Sequence, residues 1–162
     1  MQNTKAYRDG LFHVQDISSQ FCAAALGAKP GDRVLDVCAA PGGKTFTVAE
    51  IMENRGEVVA CDLHAKRAKL VKTGGERLGL GIITARANDA TVYDESFGKF
   101  DKVLCDVPCS GLGVIRRKPE IRFKKPEDLQ SLPKIQYRIA AASAKYLKEG
   151  GVLVYSTCTL SR

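Results

Sequence analysis

Two cysteines stand where a parallel sheet would present catalytic side chains. Cys109 follows Asp106 and Pro108 after the fourth predicted strand, and Cys158 follows the fifth. In open parallel α/β sheets, ligands bind at the carboxyl ends of the strands. A thiolate is a good nucleophile, and a carboxyl group can hydrogen-bond to a substrate or exchange a proton with it. Two cysteines at strand ends are unusual for core packing, so we interpret them as a functional pair.

A turn rich in small residues follows the first predicted strand. Residues 36–45 read D-V-C-A-A-P-G-G-K-T. A Walker A phosphate loop would need glycine in place of Cys38, and a dinucleotide fingerprint would need glycine in place of both Cys38 and Ala40. The turn matches neither motif. Its glycine pair instead enters a helix, whose N-terminal N–H groups bind anions, and this favours a nucleoside ligand that carries a carboxylate.

Asp62 ends the second predicted strand, twenty residues after Gly42. At this position an acidic side chain commonly accepts hydrogen bonds from ribose hydroxyls. The same carboxylate can instead cap the helix predicted from His64, and both roles stay open. Together with the turn, Asp62 indicates a cofactor that contains adenosine.

Strands and helices alternate along the chain and would bring these residues to one edge of a sheet. The predicted strands span residues 33–38, 57–61, 82–86, 101–106 and 152–157. Asp16 or Ser18 caps a helix that ends before Gly27, and further helices are predicted over residues 43–54, 64–78 and about 131–147. This alternation predicts an α/β fold with a doubly wound parallel sheet in the order 3-2-1-4-5. Gly74 and Gly75 predict a bend or break in their helix, because each glycine costs about 1 kcal/mol relative to alanine.

Length and composition limit the class of protein. The 162 residues correspond to one domain, and 44% hydrophobic with 27% charged residues is typical of a globular fold. No apolar run approaches the roughly 18 residues of a membrane span. Residues 1–10 lack the features of a secretory signal. We therefore expect a cytoplasmic protein with no membrane partner.

Basic residues and cysteines are both unevenly distributed. The net charge is +7, and six basic residues lie between Arg116 and Lys125 with Glu120 as the one acidic residue. This loop favours a polyanionic partner, although a solvated surface is the alternative. The six cysteines contain no C-x-x-C pair, so we expect neither a metal site nor a disulfide framework. The cysteines outside the functional pair and the turn are interpreted as reduced core residues: Cys22, Cys61 and Cys105.

Three ordered motifs resemble the RNA cytosine-5 methyltransferases that use S-adenosylmethionine. They are residues 36–45, residues 106–111 (D-V-P-C-S-G) and residues 155–160 (Y-S-T-C-T-L). Residues 12–21 are similar to the segment that precedes the cofactor turn in that family. Residues 113–119 (G-V-I-R-R-K-P) are similar to a loop of its bacterial Sun/Fmu (RsmB-like) branch, which methylates 16S ribosomal RNA. The resemblance covers nearly the whole chain.

The resemblance implies a Rossmann-like enzyme that transfers a methyl group from S-adenosylmethionine to C5 of a cytosine in RNA. By this resemblance, Cys158 is the nucleophile that adds to C6, Cys109 assists product release, and Asp106 contacts the base. The cofactor site would comprise Cys38, Ala39, Ala40, Pro41, Gly42, Gly43, Lys44, Asp62, Arg67, Asp89 and Asp106. Attack at C6 needs an unstacked base, so single-stranded or loop RNA, with ribosomal RNA foremost, is the expected partner. The RNA-binding loop would comprise Arg116, Arg117, Lys118, Arg122, Phe123, Lys124 and Lys125.

The family carries an RNA-binding domain before the matched residues and further strands after the Cys158 motif. We therefore expect residues 1–162 to be a methyltransferase catalytic core, truncated after strand five. The strand over residues 152–157 would then be an exposed edge that can pair with another copy of the chain.

Two other functions remain open from the sequence. A catalytically silent RNA-binding subunit could keep the fold, and binding of S-adenosylmethionine would argue against it. In a DNA cytosine-5 methyltransferase, Cys109 beside Pro108 would be the nucleophile. The Cys158 motif argues against that alternative.

Overall fold

Strands and helices alternate through the chain. The computed structural model describes residues 3–123 and 127–159. Its helices are α1 (Lys5–Arg8), α2 (Ile17–Ala25), α3 (Gly43–Ile51), α4 (Ala65–Arg77), α5 (Glu127–Gln130) and α6 (Leu132–Ala144). Its strands are β1 (Arg33–Asp36), β2 (Glu57–Asp62), β3 (Ile83–Ala87), β4 (Phe100–Asp106) and β5 (Leu147–Ser156). None of the helices in these ranges combines the length and apolar character that a membrane span requires.

The strands of the described ranges form one parallel sheet in the order β3-β2-β1-β4-β5. The chain winds from β1 through α3 and α4 to β3, and then crosses to β4 on the other side of β1. The predicted fold class and strand order are confirmed. The reversal between β1 and β4 creates a crevice at the carboxyl edge of the sheet, which is where such folds bind ligands.

Apolar layers cover both faces of the sheet. Val58 and Ala60 of β2 belong to the layer formed with α2, α3 and α4, whereas Val59 and Cys61 belong to the layer packed by α6. Strands buried on both faces need apolar residues at consecutive positions, which is why their sequences read as continuous apolar runs. Cys61 and Cys105 are core residues, as predicted.

The start of β5 differs from the prediction. β5 begins at Leu147, inside the predicted last helix, and not at residue 152. Leu147 pairs with Phe100, and the register then shifts because residues 148–151 form an irregularity in the strand. Gly150 lies in this irregularity with φ of 74°, a conformation that favours glycine. Gly150 and Gly151 therefore lie within β5, at its irregularity, and do not separate β5 from α6.

The sequence predicts a bend or a break at Gly74 and Gly75, but α4 continues through both glycines without a break. A Cβ atom at Gly74 would collide with the ring of Phe46 in α3. At Gly75 a Cβ would lie 3.4 Å from Cδ1 of Ile83 in β3. The glycines therefore allow close packing of α4 against its neighbours, and this packing offsets their low helix propensity.

Candidate active site

A cavity of about 560 Å³ opens at the carboxyl edge of the sheet. Its wall includes residues from the segments that follow all of the strands β1 to β5. The predicted site residues in this wall are Cys38, Ala40, Asp62, Arg67, Asp89, Asp106, Cys109, Lys118 and Cys158. The fold therefore brings predicted cofactor residues and predicted catalytic residues together.

The cofactor turn, residues 38–44, also faces a neighbouring cavity of about 380 Å³. The turn residues that line only this second cavity are Ala39, Pro41, Gly43 and Lys44. Gly42 lines neither cavity and has φ of 114°, with the ring of Phe46 where a Cβ atom would lie. Glycine is required here because the chain must turn sharply into α3 while Phe46 packs against it.

Asp36 fastens the turn to the end of β1. Its buried carboxylate accepts a 2.7 Å hydrogen bond from the Thr45 hydroxyl and a 3.3 Å bond from the Cys38 N–H. Burial raises the pKa of Asp36 to about 7, with the nearby Asp106 carboxylate as a further cause and the Thr45 and Cys38 bonds opposing the shift. This buried acid thus holds the turn in place close to the candidate catalytic carboxylate.

Asp62 contacts the N-terminus of α4 and also faces the larger cavity. Its carboxylate accepts a 3.1 Å hydrogen bond from the His64 N–H at the start of α4, and it also lines the larger cavity. The Arg67 guanidinium lies 3.6 Å from Asp62 Oδ2 and donates a 2.9 Å bond to the Ala40 carbonyl. Arg67 thereby links the acidic group to the cofactor turn.

Asp89 is an exposed acid at the rim of the same cavity. Its carboxylate accepts a 2.9 Å hydrogen bond from the Thr91 N–H. Bonds from Thr91 hold the pKa of Asp89 below its usual range, and the positive charge of Arg138 contributes in the same direction. The group is therefore an ionised acceptor at neutral pH.

Asp106 is held between two donors from other parts of the sheet. Lys44 Nζ donates a 2.7 Å hydrogen bond to Oδ2, and the Ser156 hydroxyl donates a 2.6 Å bond to Oδ1. Lys44 lies in the cofactor turn and Ser156 ends β5. The carboxylate at the end of β4 is consequently fixed from both sides.

Cys109 and Cys158 meet at the ends of β4 and β5. Their Sγ atoms are joined as a disulfide, with Cα atoms 6.5 Å apart. This pairing departs from the expectation that the cysteines give no disulfide framework, because adjacent parallel strands end at the same edge and carry both residues there. The other cysteines are free. Burial raises the pKa of Cys38 far above its usual range, and that of Cys105 to about 11.

Thr159 connects the segments that carry the two cysteines, and the sequence interpretation missed it. Its Oγ1 atom lies 3.7 Å from Cys109 Sγ and 3.9 Å from Cys158 Sγ. The Ser110 hydroxyl donates a 3.1 Å bond to it, and the Gly113 N–H donates one of 3.4 Å. Its place beside Cys158 in the sequence was the available signal.

The sequence interpretation also missed the neutral wall of the larger cavity. This wall includes Leu63, Asn88, Thr91, Ile135 and Ile139. Leu63, Asn88 and Thr91 follow strand ends, so their positions were a usable signal. Ile135 and Ile139 lie in α6 and reach the cavity only through tertiary packing. In the described part of the chain, no cluster of three or more potential metal ligands is present.

The basic loop lies beside the cysteines over part of its length. Arg116, Arg117 and Cys158 line a groove of about 710 Å³, and Arg117 forms an ion pair with Asp16. Lys118 lines the two cavities described above. The remaining loop positions differ: the Phe123 ring is 81% exposed, and Arg122 donates a hydrogen bond to the Pro119 carbonyl. Lys124 and Lys125 lie outside the described residues.

A family model described as 16S rRNA methyltransferase RsmB/F matches residues 23–162. The chain belongs to the RsmB/F family. This membership confirms the resemblance seen in the three sequence motifs. It also supports S-adenosylmethionine as the cofactor, as expected from the sequence.

Curated relatives of the RsmB/F chain are longer proteins. The "Probable ribosomal RNA small subunit methyltransferase B" of Bacillus subtilis is 48% identical over 98% of this chain, which corresponds to 36% of the relative. The "Ribosomal RNA small subunit methyltransferase B" of Escherichia coli is 40% identical over 95% of this chain and 36% of its own length. The chain thus spans about a third of the relatives it matches.

Two solved structures share the fold of this chain at more than 30% sequence identity. NSun6 from Pyrococcus horikoshii, with the S-adenosylmethionine analogue SFG, has a TM-score of 0.90 and 36% identity over 99% of this chain and 41% of that chain. The protein PH0851 has a TM-score of 0.93 and 34% identity over 98% of this chain and 37% of its own. The predicted Rossmann-like methyltransferase fold is confirmed.

Proposed function

We propose that this chain is the catalytic core of an S-adenosylmethionine-dependent enzyme that methylates C5 of a cytosine in ribosomal RNA. The observation that carries the proposal is the convergence of Cys109, Cys158 and Asp106 with Asp62 and Asp89 around one cavity. Family membership supports ribosomal RNA as the substrate. The cytoplasm is the compartment that this substrate implies.

The cavity suits S-adenosylmethionine in size and in chemistry. Its volume of about 560 Å³ lies within the range of small-molecule sites, roughly 300–1,000 Å³. The buried Asp62 carboxylate can accept bonds from ribose hydroxyls. The start of α3 faces the neighbouring cavity of about 380 Å³, and its N–H groups can hold the carboxylate of the cofactor there. Asp89 offers an ionised acceptor in the same cavity wall as Asp62. When bound, the cofactor supplies an electrophilic methyl group.

The cysteine pair and Asp106 account for the remaining chemistry. With the cysteine pair reduced, the Cys158 thiol gives its proton to the Asp106 carboxylate and adds to C6 of cytosine, and Asp106 passes that proton to the ring nitrogen N3 as electron density moves into the ring. C5 can then accept the methyl group. The Cys109 thiolate takes the proton from C5, the bond between C6 and Cys158 breaks, and N3 returns its proton through Asp106 to the Cys158 sulfur. The proton released from C5 stays on Cys109. Lys44 and Ser156 hold the Asp106 carboxyl group in position throughout.

The basic residues beside the groove provide a binding surface for RNA. Arg116 and Arg117 line the groove that Cys158 also lines, and Lys118 shares the larger cavity with Cys158, so these residues can pair with phosphates on either side of an extruded cytosine. The exposed Phe123 ring can stack on an unpaired base.

Two cysteine variants test the chemistry. The chain is incubated with S-adenosylmethionine and single-stranded fragments of 16S ribosomal RNA, and products are analysed for 5-methylcytosine and for covalent protein–RNA species. Cys158→Ser should abolish methylation without trapping RNA, whereas Cys109→Ser should accumulate the covalent adduct because release is impaired. If instead the Cys158→Ser variant traps RNA covalently, then Cys109 is the nucleophile and Cys158 assists release.

Cofactor and nucleic-acid controls separate the alternatives. Calorimetric titration with S-adenosylhomocysteine shows whether the cofactor site is intact when no methylation is observed. Binding of RNA without binding of the cofactor would favour the silent RNA-binding subunit. Methylation of a matched single-stranded DNA in place of RNA would favour a DNA methyltransferase.

A further inference from the structure

The segments that carry Cys109 and Cys158 are held side by side by contacts that do not involve sulfur. The Val107 N–H donates a 3.0 Å hydrogen bond to the Ser156 carbonyl, directly before the two cysteines. Beyond the cysteines, Thr159 Oγ1 accepts bonds from Ser110 and from the Gly113 N–H. The proximity of the two thiols is therefore a property of the fold at the ends of β4 and β5.

The Cα separation of this pair suits a disulfide. The Cα atoms of Cys109 and Cys158 lie 6.5 Å apart, within the usual range of about 4.4–6.8 Å. Cys158 is exposed, and Cys109 is half-buried in the wall of the same open cavity. Small oxidants and reductants can therefore reach both sulfur atoms.

The other cysteines lack this combination of exposure and a partner. Cys61 and Cys105 are buried in the core, and burial raises the pKa of Cys61 to about 12. Cys38 lines the cavity, but burial and neighbouring carboxylates keep its thiol protonated by raising its pKa. Thiolate character and access decide which cysteines are oxidised.

We propose that Cys109 and Cys158 form a reversible disulfide when the protein meets hydrogen peroxide, so that the candidate active site is also a site of oxidative modification. The exposed Cys158 thiol attacks peroxide, which gives a sulfenic acid and one water. The Cys109 thiol then attacks the sulfenic sulfur, which gives the disulfide and a second water. The two thiols lose two hydrogens and peroxide is reduced to water. A dithiol reductant returns both thiols by exchange.

The consequence for methylation rests on the proposed function. A disulfide removes the free thiol of Cys158, so addition to C6 of cytosine cannot occur. It also joins β4 and β5 beyond their ends and closes the space between the two sulfur atoms. Oxidation would thus stop methylation without loss of the fold, and reduction would restore it.

Mass spectrometry of the chain alone tests the modification without RNA or cofactor. The reduced chain is exposed to hydrogen peroxide, and free thiols are then alkylated under denaturing conditions. Alkylation should fall from six cysteines to four, and prior treatment with dithiothreitol should restore six. A tryptic cross-link should join the peptide with Cys158 to the peptide with Cys109. Six alkylated cysteines, or a stable sulfinic acid at Cys158, would overturn the proposal.

Variants identify the partner within the cross-linked peptide. Cys105 lies in the same tryptic peptide as Cys109, so Cys109→Ser must abolish the cross-link if Cys109 is the partner. Cys22→Ser is the matched control and should leave the cross-link unchanged. A cross-link that persists in Cys109→Ser would also overturn the proposal.

Activity measured before and after oxidation separates this inference from the proposed function. If the cross-link forms while methylation continues, the result would support the proposed modification site and contradict the role of Cys158 as nucleophile. Methylation that depends on Cys158 without any cross-link would support the proposed function and contradict the modification site.

Discussion

Lys44 Nζ donates a 2.7 Å hydrogen bond to Oδ2 of Asp106, across a sequence separation of 62 residues. The bond joins the start of α3 to the end of β4 and spans the crevice between the two halves of the sheet. Both side chains are largely buried, with 18% of Lys44 and 32% of Asp106 exposed. The ammonium group therefore both positions the candidate catalytic acid and contributes positive charge to the cavity wall.

Lys44→Met should lower the rate of methyl transfer by roughly tenfold or more, because the Asp106 carboxyl group loses a charged donor that fixes its position. Steady-state kinetics on RNA at saturating cofactor measures the effect. Lys44→Arg keeps the charge and should retain more activity. Equal rates for Lys44→Met and the unmodified chain would contradict a positioning role for this ion pair.

Asp62→Ala should weaken binding of S-adenosylhomocysteine by about 1–3 kcal/mol through loss of charge-assisted hydrogen bonds to ribose. Isothermal titration calorimetry measures the change. Asp94 is the matched control: it caps a short helical turn through a 2.9 Å bond from the Ser96 N–H and does not line the cavity. Asp94→Ala should leave the affinity unchanged. Unchanged affinity in the Asp62 variant would refute its role at the cofactor.

The contribution of Asp36 to stability should depend on pH. Burial raises its pKa from 3.8 to about 7, so between these values the folded chain binds a proton that the unfolded chain has released. The free energy of unfolding should therefore increase as pH falls from about 7 towards 4, relative to Asp36→Asn. Urea unfolding of both chains across this range measures the difference.

The contribution of Asp101 to the free energy of unfolding should change with pH in the opposite direction to that of Asp36. Hydrogen bonds from Lys148 and the Arg33 N–H hold the pKa of Asp101 below its usual value. Its contribution to stability should be present above the unfolded pKa and decline as pH falls below it.

A pH-independent difference between the unmodified chain and Asp36→Asn would contradict the raised pKa of Asp36.

β5 should be the site of self-association. It lies at the edge of the sheet order, where β4 is its one neighbour within the described residues, and Val152 and Tyr155 are 37% and 44% exposed. Unpaired N–H and C=O groups on an edge strand pair readily with another chain. Hydrogen exchange over residues 152–155 should slow as protein concentration increases, and Tyr155→Lys should reduce the effect. Strong protection in a dilute monomer would argue against an open edge.

Much of the fold could be predicted because the central strands are buried on both faces. Such strands carry consecutive apolar residues where they are buried, so β1, β2 and β4 were visible as short apolar runs that end in Asp36, Asp62 and Asp106. The sequence indicated Asp16 or Ser18 as the N-cap of α2, and Asp16 is the cap, since its carboxylate accepts a bond from the Ser18 N–H two residues later. Local chemistry was sufficient for these features.

The start of β5 and the course of α4 depended on distant partners. Leu147 is a strand residue because Phe100 lies opposite it, and Gly74 is helical because Phe46 occupies the space beside it. The sequence signals at these positions were glycine pairs, which local propensity interprets as breaks. Packing with residues far along the chain outweighed that propensity.

The sequence alone was sufficient to predict the strand order, the acidic strand ends and the two strand-end cysteines. The acids and the cysteines follow from local patterns, and the strand order follows from the alternation of strands and helices with right-handed crossovers. The tertiary structure alone decided which side chains complete the site. Ser156 reaches Asp106 across 50 residues, and Thr159 reaches Cys109 across the same separation. No local pattern encodes such contacts, because they arise only where parallel strands that are distant in sequence end side by side.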